Sequence, residues 1–234
     1  MVTLPILGTR EFYTLNPTKI IALGLNYAEH VKESVSAQAA ASTEIPKEPV
    51  LFAKTPNVLI GPDEAIRIPK FIDAYKFEDP RTDYEAELAF VIGKKCSKVS
   101  EKEALGCILG YTCMNDVSQR NIQLSDKSGW FRGKSFDTFG PIGPVLVPPE
   151  RIGDPNDLRI ECRLNGKVVQ SARTSDMIFG IAVLLSFISR QITLEPGDIV
   201  TTGTPSGVGK IKPGDVVEIE IERIGVLRNP VEAG

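Results

Sequence analysis

The stretch Asp83-Tyr84-Glu85-Ala86-Glu87-Leu88-Ala89-Phe90-Val91-Ile92 decides how this chain is read. Two carboxylates stand two residues apart at the head of an apolar β-type run. Side chains at i and i+2 of a strand share a face, so Glu85 and Glu87 point the same way, with Cβ atoms roughly 7 Å apart. Ala86 and Leu88 take the opposite, core face. Phe90 and Ile92 are expected to follow the glutamates and to bury their face further along. Ionised carboxylates on such a face repel and lose hydration, so a cation between them is favoured. Asp116 supplies a third carboxylate at the end of the apolar run from Ile108 to Met114. Spacing alone leaves a solvated acidic face and a metal site as competing readings.

Outward from this stretch, the composition narrows the field. The chain has 234 residues, 42% hydrophobic and 24% charged, with a net charge of −3 and no basic block. That is the make-up of a soluble globular chain; it gives no footing for nucleic-acid binding or a polybasic membrane anchor. The apolar run from Met177 to Ile188 is too short to span a bilayer, and the N-terminus lacks the charged region of a signal peptide. The four cysteines show no metal-type or disulfide-type spacing, as expected of reduced thiols in a cytoplasmic protein. His30 is the single histidine, so a metal ligand set would be mainly oxygen, pointing to magnesium, manganese or calcium.

Lys19 to Gly24 reads as a buried strand, followed by Asn26 as N-cap of a helix from about Tyr27 to Val35. The Ala/Ser-rich stretch Ser36 to Lys47 has no clear period and reads as a mobile loop, and Tyr27 to about Lys47, helix and loop together, is expected to form a lid. Further strands are expected over Val50–Ala53, Glu85–Ile92 and Cys107–Asn115, with a capping box at Ser100–Glu103. Trp130 to Pro144 reads as loop. Asn165-Gly166 is the strongest hairpin signal in the chain, and Ser175 reads as the N-cap of a helix reaching Arg190. Many short strands with few helices imply an α+β, β-rich fold. Residues 1–18 read as an N-terminal extension and 19–234 as one catalytic domain.

Other groups carry chemistry. His30 and Glu33 stand three apart on the first helix, so imidazole and carboxylate share a face, an arrangement suited to general-base work on water. The same pattern is common on surface helices. Arg120 and Gln123 are expected on one helical face with Asp116, and Arg120 suits a substrate carboxylate; the alternative is a surface salt bridge. Lys134 sits in a Gly-rich segment, where it can neutralise a carboxylate cluster or stabilise an enolate, or simply be solvated. The run Thr201 to Gly209, rich in hydroxyls and glycine, suits an anion.

Five segments in order resemble the fumarylacetoacetate hydrolase family: Gly24-Leu25-Asn26-Tyr27-Ala28-Glu29-His30-Val31-Lys32-Glu33; Asp83 to Leu88; Gly110-Tyr111-Thr112-Cys113-Met114-Asn115-Asp116; Gly133-Lys134-Ser135-Phe136-Asp137; and Gly197 to Pro205. The resemblance implies stacked mixed sheets with a rolled, barrel-like centre, and a homodimer. It implies a divalent metal, Mg2+ or Mn2+ with Ca2+ as a further option, held by Glu85, Glu87 and Asp116. It implies Arg120, Gln123, Lys134 and Thr204 as substrate contacts and His30–Glu33 as the water-activating dyad. The expected substrate is a small 2-oxo acid or dicarboxylate handled as a metal-bound enolate. The expected reaction is hydrolysis of an acylpyruvate-type C–C bond or decarboxylation of oxaloacetate. The alternatives are isomerisation of 2-hydroxyhepta-2,4-diene-1,7-dioate and a catalytically silent metal-binding scaffold.

Overall fold

The computed structural model describes residues 1–33, 44–127 and 129–234. Its centre is a seven-stranded mixed sheet in the order Val50–Lys54, Ile20–Gly24, Ile199–Thr201, Ala86–Ile92, Ile108–Asn115, Gly140–Val147, Leu59–Ile60. Five strands form a second sheet: Lys167–Arg173, Arg159–Leu164, Val216–Ile221, Gly225–Ala233 and Ile66–Ile68. A third, of three short strands, joins Ser118–Gln119, Thr82–Tyr84 and Gly209–Ile211. The fold is β-rich with few helices, its sheet curled as a half-barrel.

The strand Ala86–Ile92 is buried along its whole length because both faces are covered. Leu88, Phe90 and Ile92 enter the larger core beside Cys113, Ile160 and Ile219. Ala89 and Val91 enter a second core with Leu4, Leu15, Ile20 and Met114. This corrects the expected facing: alternation with period 2 puts Ala89 and Val91 on the side of Glu85 and Glu87, and Phe90 and Ile92 opposite. The strand is also interrupted where the acids begin. Glu85 lies between Thr82–Tyr84 and Ala86–Ile92, which belong to different sheets, so the acid pair sits at a sheet junction. Residues 3–14 form a hairpin, Thr3–Pro5 on Phe12–Thr14, that carries Leu4 into the second core.

Three local expectations change. Asn26 does not cap the first helix, Ala28–Glu33. Its amide instead donates to the carbonyls of Phe179 (3.1 Å) and Thr202 (2.8 Å), and its oxygen accepts from the Phe179 N–H (2.9 Å). An Asn bonded to partners some 150 residues away has no group left for a local cap. Ser175 lies in a 3-10 turn, Thr174–Asp176, and the following helix, Ile181–Gln191, starts from Gly180; the cap at Arg173–Asp176 closes that turn rather than opening the helix. The segment read as loop contains a short helix, Phe131–Lys134, and the strand Gly140–Val147. Gly140, Pro141, Gly143 and Pro144 sit inside a paired strand, broken by a register shift between Gly143 and Val147. The expected lid, Tyr27 to about Lys47, falls in part on residues 34–43, outside the described residues. The Asn165-Gly166 hairpin forms as read, between Arg159–Leu164 and Lys167–Arg173, with both turn residues at positive φ. No helix among the described residues is long and apolar enough to cross a membrane.

Candidate active site

Glu85, Glu87 and Asp116 bring one oxygen each to within 4.8 Å of one another, and all three are buried. Their approach follows from pairing: Ala86 stands opposite Asn115 in the antiparallel ladder, so the two strands end together. The Asn115 side chain then accepts from the Glu85 N–H (2.9 Å) and the Glu85 carbonyl accepts from the Asp116 N–H (2.9 Å), locking both acids at the junction.

Three cations enclose this group. Lys134 Nζ donates to Glu85 Oε2 (2.8 Å) and Asp116 Oδ2 (2.6 Å), while Lys54 Nζ donates to Asp116 Oδ1 (2.6 Å). Arg120 reaches Glu85 through Nη2, Asp83 through Nε (2.8 Å) and Gln123 Oε1 through Nη1 (2.9 Å). Burial opposes the charge of Glu85, yet Arg120 and Lys134 outweigh it and hold its carboxyl below the usual carboxylate range. Burial likewise opposes the charge of Lys134, but Asp116 and Glu85 keep its ammonium more firmly protonated than usual. Lys54 goes the other way: full burial, with Lys134 nearby, lowers its pKa despite Asp116.

Glu87 is the exception. Its Oε2 accepts from the Gly203 N–H (2.9 Å), but Oε1 is buried without a well-formed hydrogen bond among the described residues. Burial and then the charges of Asp116 and Glu85 push its carboxyl well above the usual range, and the Thr201 hydroxyl and Lys134 offset this only in part. An orphaned buried carboxylate oxygen beside two other acids is what an absent cation leaves behind. The donor set is all oxygen, the preference of hard divalent ions. These residues therefore fit a divalent metal.

The remaining groups are placed by close backbone packing. The helices Arg120–Ser125 and Phe131–Lys134 touch at Gly133, where a Cβ would stand 2.7 Å from the Gln123 N and 2.8 Å from the Gln119 carbonyl. Only glycine permits that approach, and it delivers Lys134 to the acids. Gly203, at φ +87°, makes the turn that aims its N–H at Glu87. His30 Nδ1 lies 3.3 Å from Glu33 Oε1, which also accepts from the Gly207 N–H (2.7 Å). Burial opposes the Glu33 charge, but the bonds from His30 and Gly207 hold its pKa below the ordinary value.

A small pocket collects His30, Glu85, Arg120, Gln123, Lys134 and Thr204 on its polar side. Its apolar side is Leu23, Gly24, Leu25, Phe52 and Trp130. Glu87 and Asp116 lie behind Glu85 and Lys134 rather than on the pocket surface. Arg120 shares the helix with Gln123 as expected, but Asp116 precedes that helix rather than lying on its face. Sequence reasoning passed over two residues. Lys54 is fully buried on Asp116; its only signal was a lysine closing the strand Val50–Lys54. Gln170 accepts from the Ala86 N–H (3.0 Å) and donates to Thr204 Oγ1 (2.9 Å) and the Pro205 carbonyl (2.8 Å). It ties the acid strand to the loop opposite and carried no signal in the sequence.

A buried acid triad at a sheet junction, wrapped by lysines and opening on one polar pocket, defines the class. The chain belongs to the fumarylacetoacetate hydrolase family, matching the fumarylacetoacetate hydrolase C-terminal domain over residues 19–232. It is 44% identical to a mitochondrial oxaloacetate tautomerase of Xenopus laevis, over 92% of this chain and 66% of that protein. It is 42% identical to a 2,4-didehydro-3-deoxy-L-rhamnonate hydrolase of a Sphingomonas strain, over 91% of this chain and 73% of that one. Among solved structures, a 2-hydroxyhepta-2,4-diene-1,7-dioate isomerase from Mycobacterium marinum superposes with a TM-score of 0.79 at 41% identity, covering 94% of this chain and 76% of that one.

Proposed function

We propose that this chain is a divalent-metal-dependent enzyme that moves a proton on the enol form of a small 2-oxo dicarboxylate, with keto–enol tautomerisation of oxaloacetate as its leading reaction. The observation that carries this reading is that His30 lines the same pocket as Glu85 and Lys134, through which the cation-wrapped acid triad meets that pocket. Mg2+ or Mn2+ held by Glu85, Glu87 and Asp116, with Ca2+ as the weaker choice, would supply Lewis-acid stabilisation of negative charge on the 2-oxo group.

The chain's own residues do the rest. Glu33 accepts a hydrogen bond from His30 Nδ1–H, so Nε2 is the basic nitrogen available to take a proton from C3 of the keto form and deliver it to the 2-oxo oxygen, or in the reverse direction to take the enol O–H proton and return it to C3. Thr204 Oγ1 accepts from Gln170, leaving its own O–H to donate. Gln123 spends its oxygen on Arg120 and keeps its amide N–H groups. Lys134 uses two donors on the acids and retains a third. The free groups are therefore donors, the complement of carboxylate and enolate oxygens.

A second reading, hydrolysis of an acylpyruvate-type C–C bond, uses the same His30 Nε2 to activate water, and kinship to a hydrolase supports it. Decarboxylation of oxaloacetate stands beside it. Following enol-oxaloacetate decay by ultraviolet absorbance, with pyruvate release measured in parallel, separates these. The expected result is accelerated decay with Mg2+, lost with EDTA, and little pyruvate. Pyruvate formed in step with decay would favour cleavage; no acceleration with either Mg2+ or Mn2+ would defeat the reading. The protein is proposed to act as a cytoplasmic homodimer, which light scattering on the purified chain tests for the dimer.

A further inference from the structure

The apolar side of the pocket has a construction of its own. The six-membered ring of Trp130 rests directly on Gly24: a Cβ at position 24 would stand 2.4 Å from Cζ3 and 2.7 Å from Cη2. The indole is thus seated in the space of a missing side chain. It meets Phe52 edge-on, with centroids 5.3 Å apart and an interplanar angle of 68°. Phe52 in turn has its ring 4.9 Å from Lys134 Nζ, within reach of a cation–π contact. One chain of contacts therefore runs from Gly24 through Trp130 and Phe52 to the lysine that grips Glu85 and Asp116.

Such a wall is rigid. Aromatic pairs in edge geometry hold each other beyond simple burial, and the indole cannot sink further because the Gly24 backbone is beneath it. The polar groups of the pocket fix the 2-oxo acid end of a ligand. What the ligand carries beyond that end must share the remaining space with Trp130.

Resting on the functional reading above, we propose that Trp130, seated on Gly24 and braced by Phe52, sets the length of 2-oxo acid that the site accepts, favouring four- and five-carbon acids over longer ones. Hydrophobic walls discriminate by roughly 10- to 200-fold per methylene-sized misfit, which sets the scale expected.

The test is a binding series with the full-length, Mg2+-loaded protein: oxalate, 2-oxoglutarate and 2-oxoadipate by calorimetry, for wild type, Trp130→Ala and Trp130→Phe. Wild type should bind 2-oxoadipate at least tenfold more weakly than 2-oxoglutarate. Trp130→Ala should shrink that ratio to within about threefold, while oxalate, which has no chain beyond its two carboxylates, still binds. Trp130→Phe should fall between them, and all three proteins should show the same circular dichroism spectrum. A wild-type series with no length dependence, or an equally steep one in Trp130→Ala, overturns the length gate and leaves the functional reading standing. Failure of wild type to bind any of these acids overturns the functional reading and the gate with it.

Discussion

The Lys54 ammonium stands 2.6 Å from Asp116 Oδ1, and neither side chain has any exposure to solvent. With Lys134 on the other oxygen, Asp116 is held between two lysines. Breaking a buried pair costs more than the pair contributes, because the surviving charge stays desolvated. Lys54→Met is expected to lower unfolding free energy by about 3–5 kcal/mol, read from urea denaturation. A loss below about 1 kcal/mol would mean that water reaches Asp116.

Glu87 gives a pH signature of unusual sign. Its folded pKa is raised, so between the ordinary carboxylate range and that raised value the folded state holds more protons than the unfolded one. Stability then falls as pH rises through that window. In chelator, Glu87→Gln should remove this dependence and be more stable than wild type at pH 7. Added Mg2+ should raise the melting temperature of wild type and leave Glu87→Gln unchanged. A variant that is less stable in chelator, or that gains as much from Mg2+, contradicts the assignment.

His30 is the only histidine, so its ring signals need no assignment. His30→Ala is expected to lower kcat by about 10²-fold or more with the metal-dependent melting shift intact. Glu33→Gln should lower kcat less, because it removes the carboxylate beside Nδ1 but leaves the imidazole in place. Undiminished turnover in His30→Ala would assign the pair a purely structural role.

Asp198 tests the frame behind the site. Its carboxylate accepts from the N–H and hydroxyl of Thr18 (2.9 and 2.7 Å), the Glu195 N–H (2.8 Å) and Lys19 Nζ (2.5 Å). Burial opposes its charge, but these donors, Lys19 first, hold its pKa below the ordinary value. Its contribution is therefore complete above the ordinary carboxylate range and is lost as pH falls through the depressed pKa. Asp198→Asn is expected to cost about 1.5–3 kcal/mol at pH 7 and less at pH 3, read from guanidinium unfolding at both values.

What the sequence made legible was whatever is local. The Glu85–Glu87 spacing, the Asn165-Gly166 turn and the Ser100–Glu103 box each depend on residues within a few positions, and each forms. What stayed hidden depends on distant partners. Asn26 looks like a cap until Phe179 and Thr202 claim its amide. Gln170 reads as an ordinary strand residue until Ala86 and Thr204 meet it. Lys54, one residue past the expected strand Val50–Ala53, gives no local sign of Asp116, 62 positions away. The facing of Phe90 and Ile92 was legible in the alternation itself.

The parallel register of Ile20 on Ile199 and Ile21 on Val200 sets the order of events when this chain is made. Gly24 and His30 leave the ribosome well before the strand that pairs beside Ile20–Gly24, and the Asp198 clasp on Thr18 arrives only with that strand. Parallel pairing across such a separation is slow, because the closure entropy comes before the contacts. Until then the edge of Ile20–Gly24 is bare and apolar, a template for self-association. Truncation shortly before Ile199 should therefore yield an insoluble product rather than a smaller enzyme.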